Sequence, residues 1–195
     1  MGKTYEFLTP ELQAWLRQQR VFFVATAPLS GAGHVNCSPK GGDTFRILGP
    51  RQVAYQDLTG SGIETAAHVR ENGRIVLMFC AFEGPPRIVR LHGRGKVIEP
   101  DHAEFASLVP LFPPQMGTRA LIHVDIDRIA DSCGYAVPLY SFVAQRDVLQ
   151  KWAIGKGSEG LAAFRGKNNR VSVDGIPGLR TAELGIINDA PSTNV

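Results

Sequence analysis

Residues 53–79 read VAYQDLTGSGIETAAHVRENGRIVLMF, and this stretch decides the fold. Residues 52–57 are rich in β-branched and aromatic side chains and predict a β-strand. Ser61 followed three residues later by Glu64 has the spacing of a capping box, which predicts that a helix begins there. The segment therefore predicts a strand, a short glycine-containing loop and a helix in immediate succession.

The end of that helix is equally well marked. We expect it to run to about Asn72, because Gly73 stands where a left-handed C-cap glycine belongs. Residues 74–82 are then nearly all apolar and predict a strand covered on both faces. A single helix is thus inserted between two strands.

Further strands precede this segment at the spacing of hairpins. Thr9 and Pro10 suit the start of an N-terminal helix, where they supply the cap and the first turn. Short strands are then predicted at 20–27, 34–38, 44–48 and 52–57. Residues 39–42 (Pro-Lys-Gly-Gly) should break the second of them.

Downstream, residues 87–99 predict one long strand in which Gly93 and Gly95 mark a bulge or a barrel corner. Residues 101–109 predict a helix. Apolar and polar residues alternate over 119–127 and predict the last strand, with Asp125 and Asp127 on its solvent-exposed face.

These elements predict a mainly β (β+α) protein with six to seven antiparallel strands closed into a small barrel. Peripheral helices cover it, and residues 1–131 form the barrel domain. Residues 132–195 form a helical and loop extension, with helices at 141–153 and 158–164 and a frayed end. The extension is too poor in apolar residues to fold alone, so we expect it to pack on the barrel or on a dimer partner.

Composition excludes several classes of protein. The 195 residues carry a formal net charge of +3 with no basic block, so nucleic-acid binding is not expected. No apolar run reaches the ~20 residues of a membrane span, and no hydrophobic signal core is present. Three cysteines without a C-x-x-C pair and histidines without H-x-x-x-H spacing predict no metal site. We expect a cytoplasmic protein.

The loop at residues 58–62 (Leu-Thr-Gly-Ser-Gly) is the first candidate for chemistry. Two hydroxyl groups, two glycines and a helix N-terminus together suit a phosphate group. The alternative is that Ser61 only caps the helix and Gly60 only turns the chain.

A second candidate is the strand segment that holds Asn36, Ser38 and Lys40. Alternation places an amide, a hydroxyl and an ammonium group on one face of that strand. They either line a cleft, where Lys40 could bind an anion, or form an outer polar face.

The long strand offers a third candidate, in which Arg90, Arg94 and Lys96 share a face with Arg87 on the other. The alternative is an edge strand guarded by charge. Cys133 beside Gly134 could be a reactive thiol, but no histidine lies nearby in sequence, and packing is the favoured role.

Three segments together resemble the pyridoxamine 5'-phosphate oxidase-like superfamily of flavin-binding split β-barrels. They are VATA with G.VN.SPKG at 24–41, the stretch 53–79, and PPRIVRLHGRGKV at 85–97. The resemblance covers about residues 8 to 130. The later SCGYAVP and KNNRVSVDGIPGL, at 132–138 and 167–179, resemble a subgroup of unassigned substrate.

The resemblance implies a split barrel that binds FMN at a homodimer interface. It implies these cofactor-binding residues: Asn36, Ser38, Lys40, Asp57, Thr59, Gly60, Ser61, Thr65, Arg87 and Arg90. No catalytic side chain is identified, since the flavin carries the hydride chemistry.

Two departures from the family pattern limit the substrate. Glu64 and Thr65 stand where the oxidase has an arginine–lysine pair, and nothing after Asp131 repeats its Arg-x-His motif. Pyridoxamine phosphate is therefore not the expected substrate. The leading hypothesis is an FMN-dependent oxidoreductase acting on an unidentified small molecule. The alternative is a non-catalytic flavin-, deazaflavin- or haem-binding protein used for storage or sensing.

Overall fold

A curled antiparallel sheet forms the centre of the computed structural model, which describes residues 2–181. Its strands are β1 (Thr4–Tyr5), β2 (Val21–Thr26), β3 (Asn36–Gly41), β4 (Phe45–Gly49), β5 (Gln52–Leu58), β6 (Arg74–Cys80), β7 (Ile88–Ile98) and β8 (Thr118–Ser132). The helices are α1 (Pro10–Gln18), α2 (Glu64–Asn72), α3 (Phe105–Leu108), which continues into a 3-10 turn at Val109–Leu111, and α4 (Val148–Asn168). The frayed end predicted at 186–195 lies outside the described residues.

The strand order β3-β2-β6-β7-β8-β5-β4 confirms the predicted mainly β architecture with peripheral helices. All neighbours in this order are antiparallel. The long strand β8 pairs with β7 on one side and with β5 on the other. The structure adds one strand to the predicted set, because the two residues of β1 pair with Ala130 and Ile129 of β8.

Apolar side chains inside the curl form one main core. Leu12 and Leu16 of α1 reach it, and Thr9 caps this helix as predicted, accepting a hydrogen bond from the Leu12 amide. Gly73 ends α2 at φ 72°, and its amide donates to the Val69 carbonyl, as its position predicts. Only glycine adopts that conformation without strain.

The predicted break at residues 39–42 is wrong, because β3 continues through Pro39 to Gly41. Proline lacks an amide donor, but β3 lies at the edge of the sheet, where one side of the strand needs no partner. Residues 38–41 therefore stay extended beside β2.

The bulge predicted on the long strand is present. The β7–β8 register shifts between His92 and Gly93. A methyl group on Gly93 would meet the Asp125 carbonyl oxygen at 2.2 Å, so a side chain is excluded at this close approach.

The helices predicted in the extension differ from the observed one. Residues 141–147 are irregular, and one helix, α4, spans both predicted helical regions with a non-helical break at Gly157 (φ 63°). The 101–109 helix is reduced to the short α3 and its 3-10 turn.

The end of the described chain packs against the barrel of its own chain. Leu179 joins the main core. The Glu99 carboxylate, only 2% exposed, accepts from the amides of Arg180 and Thr181 and binds the Arg70 guanidinium. Of the helices described between residues 2 and 181, none is both long and apolar enough to cross a bilayer.

A buried ion pair joins the neighbouring strands β5 and β8. Arg119 Nε donates to Asp57 Oδ2 over 2.8 Å, and the two side chains are 5% and 1% exposed. Lys40 Nζ lies 3.0 Å from the other oxygen of Asp57. Burial alone raises the pKa of Asp57, but Arg119 and Lys40 outweigh it and hold the pKa at about 2.

This pair makes the fold sensitive to acid. The folded-state pKa of Asp57 lies below the unfolded value of ~3.9, so its stabilisation is present above that pH and is lost as the pH falls toward about 2. We predict that Asp57→Asn lowers the free energy of unfolding by about 3–5 kcal/mol, because Arg119 is left buried without a counter-charge. Urea denaturation at neutral pH measures this loss.

The matched control is Asp127→Asn, since Asp127 is an exposed aspartate on β8, the strand that carries Arg119. It should unfold as the unchanged protein does. The Asp57→Asn variant should also lose part of the decline in stability between pH 4 and pH 2. Equal stability of the two variants would contradict the assignment.

Candidate functional site

A large cleft opens between the edge strand β3 and the loop that joins β5 to α2. Its volume is about 1770 Å³, well above the ~300–1,000 Å³ of a single small-molecule pocket. Seven of the ten predicted site residues line it: Ser38, Lys40, Thr59, Gly60, Ser61, Thr65 and Arg87. The two sequence segments singled out independently, 36–40 and 57–65, therefore meet at one place.

Asn36 lies behind the cleft wall and orders two hydroxyl groups on it. Its amide nitrogen donates to Thr65 Oγ1 over 2.9 Å, and its amide oxygen accepts from Ser38 Oγ over 3.0 Å. The same amide nitrogen donates to Thr26 Oγ1, which lies 3.0 Å from Nδ1 of the buried His68. Asn36 thus positions the hydroxyl groups of Ser38 and Thr65 in the cleft through hydrogen bonds.

Asp57 is buried beneath the cleft rather than exposed in it. Its carboxylate is shared between Lys40 and Arg119, so it neutralises the cations under the floor. Thr59 is also buried, and its hydroxyl donates to the Gly117 carbonyl over 2.8 Å. These two side chains support the site and are not free to receive a ligand.

The loop at 60–62 turns its carbonyl oxygens inward. Arg119 donates to the carbonyls of Gly60 and Gly62 over 3.1 and 2.7 Å. Asn169, which is fully buried, donates to the Gly60 carbonyl over 2.9 Å. In a planar trans peptide the carbonyl and the following N–H point in opposite directions. The amide of Ser61, opposite the Gly60 carbonyl, therefore faces away from Arg119 and Asn169. The amide of Gly62 faces away from Asn169 in the same manner, because the Ser61 carbonyl accepts from Asn169 over 3.4 Å.

This loop has the donor set that an anion needs. Within residues 2–181, the amides of Ser61 and Gly62 have no hydrogen-bond partner, and the Ser61 side chain is exposed beside them. A methyl group built on Gly60 would meet no described atom within 4 Å, so the space in front of the loop is open. Consecutive outward amides form a small anion-binding concavity.

The capping box predicted from Ser61 and Glu64 is wrong. The helix α2 begins at Glu64, its N-cap is Ile63, and no side-chain oxygen caps it. Glu64 Oε2 instead accepts from the Ile63 amide over 2.9 Å, and Oε1 accepts from the Val173 amide over 3.3 Å. An internal carboxylate already occupies the helix N-terminus, so the exposed part of the anion site is the 60–62 loop.

The predicted arginine ladder divides in two. Arg87 lines the cleft, where its guanidinium donates to Asp131 and to the Tyr5 hydroxyl over 2.9 and 2.7 Å. Arg90 donates to Ser132 Oγ over 3.1 Å and does not line the cleft. Within one chain, Arg90 is therefore not brought to the site. Arg94 and Lys96 make surface contacts to Asn72 and Glu104. The alternative of a charge-guarded edge strand is wrong, because β7 pairs with β6 on one side and with β8 on the other.

The packing role favoured for Cys133 is not observed, because the residue is exposed. It does not line the cleft either.

Two supporting side chains, Arg119 and Asn169, are not predicted from the sequence. Arg119 stands at the start of the predicted strand 119–127, next to the apolar residues 120–122, and a charged residue at a buried position is normally paired. Asn169 carried no local signal, since its contacts to Gly60 join residues 109 positions apart. Residues 140–146, which line the cleft without forming a helix or a strand, are also not predicted.

Comparison with known proteins shows the family of this chain. The family model described as Pyridoxamine 5'-phosphate oxidase matches residues 8–133, more than half of the chain. The Pyridoxamine 5'-phosphate oxidase family protein ustO of Aspergillus flavus is 40% identical over 197 residues, covering 91% of this chain and 78% of that protein.

Solved structures match the chain at low sequence identity. HupZ of Group A Streptococcus matches with a TM-score of 0.51 at 19% identity, covering 64% of this chain and 99% of its own. A protein described as FAD-binding, from Mesorhizobium loti, matches with a TM-score of 0.47 at 14% identity, covering 67% and 96% of the two chains. The resemblance predicted from the sequence is confirmed: this chain belongs to the pyridoxamine 5'-phosphate oxidase family.

Proposed function

We propose that the protein is an FMN-dependent oxidoreductase that acts on a small molecule, with the flavin bound in the cleft at a homodimer interface. The observation that carries the proposal is the 60–62 loop, whose carbonyls are bound inward by Arg119 and Asn169. That arrangement presents the Ser61 and Gly62 amides to an anion. Family membership supports a flavin as the molecule that carries the anion.

The residues present fit a phosphorylated flavin. The Ser61 hydroxyl and the amides of the loop would hold the phosphate. Lys40 lies on the same cleft, only 21% exposed, and its ammonium group adds a positive charge. Ser38 and Thr65, held by Asn36, offer hydroxyl groups to the polar edge of the ring system.

Bound FMN would supply the two-electron redox chemistry. The chain itself would orient the bound flavin and place positive charge near it. Lys40 shares Asp57 with Arg119, so one carboxylate faces two cations beneath the cleft. This local excess of positive charge favours binding of the anionic, reduced form of a flavin over the oxidised form.

The proposed homodimer is supported by exposed apolar side chains in the extension. Tyr135, Leu139 and Val143 are 82%, 74% and 93% exposed, and they lie within nine residues of one another. Apolar clusters of this kind on a surface mark contacts with another protein. A second copy of this chain is the partner that the family suggests.

We predict that Ser61→Ala weakens FMN binding about fivefold without lowering the thermal midpoint of unfolding. A fivefold change in affinity corresponds to the roughly 1 kcal/mol that one hydrogen bond contributes. The Ser61 side chain is exposed, so its removal costs little stability. Fluorescence quenching of FMN titrated with the purified protein measures the affinity. The control is Ser30→Ala, at an exposed serine outside the cleft. Equal affinities of the two variants would show that the loop does not hold the phosphate.

Turnover is tested by mixing the FMN-loaded protein with NADH or NADPH without oxygen. An oxidoreductase is expected to bleach the visible absorbance of the flavin and to recover it on addition of air. A protein that binds FMN but is never reduced would instead support the storage or sensing alternative. A colourless protein that gains no thermal stability from FMN or a deazaflavin would overturn both.

We predict that Val143→Asp lowers the dimer fraction in analytical ultracentrifugation, because the charge would be buried at the contact. Leu29→Asp is the matched control, since Leu29 is 66% exposed in the turn between β2 and β3. If both variants sediment as the unchanged protein does, the contact lies elsewhere.

A further inference from the structure

The cleft has an outer part that the flavin assignment does not use. We call the outer cleft the surface formed by Arg20, Phe82, Glu83, Tyr140, Phe142 and Arg146. It is continuous with the loop at 60–62 through the same cavity of about 1770 Å³. A volume beyond the ~1,000 Å³ of a large single-ligand pocket leaves room for a second molecule.

Hydrogen bonds hold the outer cleft in place, although residues 140–146 form no helix or strand. The Tyr140 amide donates to the Phe82 carbonyl over 2.9 Å, and the Phe142 amide donates to Glu83 Oε1 over 3.0 Å. Gln145 Nε2 donates to the Arg20 carbonyl over 3.2 Å. Residues 140–146 therefore form a wall of the cleft that is held in place by hydrogen bonds.

The wall presents aromatic rings to the cavity. Phe82 and Tyr140 are stacked with ring centroids 5.6 Å apart and planes inclined by 27°. Tyr140 remains 63% exposed and Phe142 42% exposed. Ring faces left open in this way offer a platform on which another planar ring can stack.

The same wall carries positive charge. Within residues 2–181, neither Arg20 nor Arg146 forms an ion pair with a carboxylate, and both line the cleft. The Arg20 guanidinium lies over the Phe142 ring, 5.1 Å from its centroid. Stacking uses the flat face of a guanidinium and leaves its in-plane N–H groups free for a carboxylate. Glu83 opposes this charge, but its carboxylate accepts the Phe142 amide.

We infer that the outer cleft is the substrate subsite and that it takes planar aromatic carboxylates, with the ring against Tyr140 and Phe142 and the carboxylate on Arg20 and Arg146. The identity of this molecule as a substrate rests on the proposed function, but its binding does not require a flavin.

Isothermal titration of the full chain, with and without FMN, tests this inference. The probes are naphthalene carboxylate, its uncharged amide, and the saturated decahydronaphthalene carboxylate. We expect the aromatic carboxylate to bind about tenfold more tightly than either comparison probe, since each lacks one of the two contacts. Equal binding of all three, or no binding of the aromatic carboxylate, would overturn the inference.

Variants separate the two contacts. Arg146→Gln should weaken the aromatic carboxylate about tenfold and leave the amide unchanged. Phe142→Leu should weaken both aromatic probes and leave the saturated one unchanged. Arg128→Gln and Phe7→Leu are the controls, because both residues are exposed and lie outside the cleft. Losses of the same size in the controls would refute a specific subsite.

Sedimentation of the same variants addresses the competing occupant, a second copy of this chain. If Phe142→Leu lowers the dimer fraction and leaves the affinity for the aromatic carboxylate unchanged, the outer cleft is a subunit contact and the inference fails. If flavin binding is absent while the aromatic carboxylate binds as described, the subsite stands and the proposed redox function falls.

Discussion

The guanidinium of Arg119, buried between β8 and the loop at 60–62, is the contact on which the site depends. It binds one carboxylate, Asp57, and two carbonyl oxygens, those of Gly60 and Gly62. A buried cation needs every one of its donors satisfied, because an unpaired charge in the interior is costly. Arg119 therefore holds the loop with the Ser61 amide, opposite the Gly60 carbonyl, facing outward.

Charge in the cleft is arranged by depth. Asp57 lies beneath the floor and neutralises part of Lys40 and Arg119, while Glu64 occupies the helix N-terminus. The cations nearer the mouth, Arg20 and Arg146, are exposed. An anion entering the cleft thus meets positive charge first and meets carboxylates only where they are already bound to donors.

Much of the barrel could be predicted from local sequence, because strand alternation, Thr9 and Gly73 act over a few residues. Pro39 predicts a break from local sequence, but proline is tolerated here because β3 is an edge strand, which only the sheet order shows. Ser61 and Glu64 matched a capping motif, but Glu64 bonds to Ile63 and Val173 instead. That second partner is supplied by a segment 109 residues away, which no local pattern encodes.

The limited reach of local sequence patterns also explains which parts of the site can be predicted. Segments 36–40 and 57–65 carry unusual polar residues, and either can be noticed alone. The wall at 140–146 has no periodic pattern and gains its order only from Phe82, Glu83 and Arg20.

Asn169 has a mechanical consequence for the protein. It lies at the C-terminal end of α4, while its side chain binds the carbonyls of Gly60 and Ser61. The end of the helix and the loop therefore cannot shift independently. The non-helical break at Gly157 divides α4 into two helical segments. Leu149, on the other side of this break, borders the cleft, so α4 adjoins the site near both of its ends.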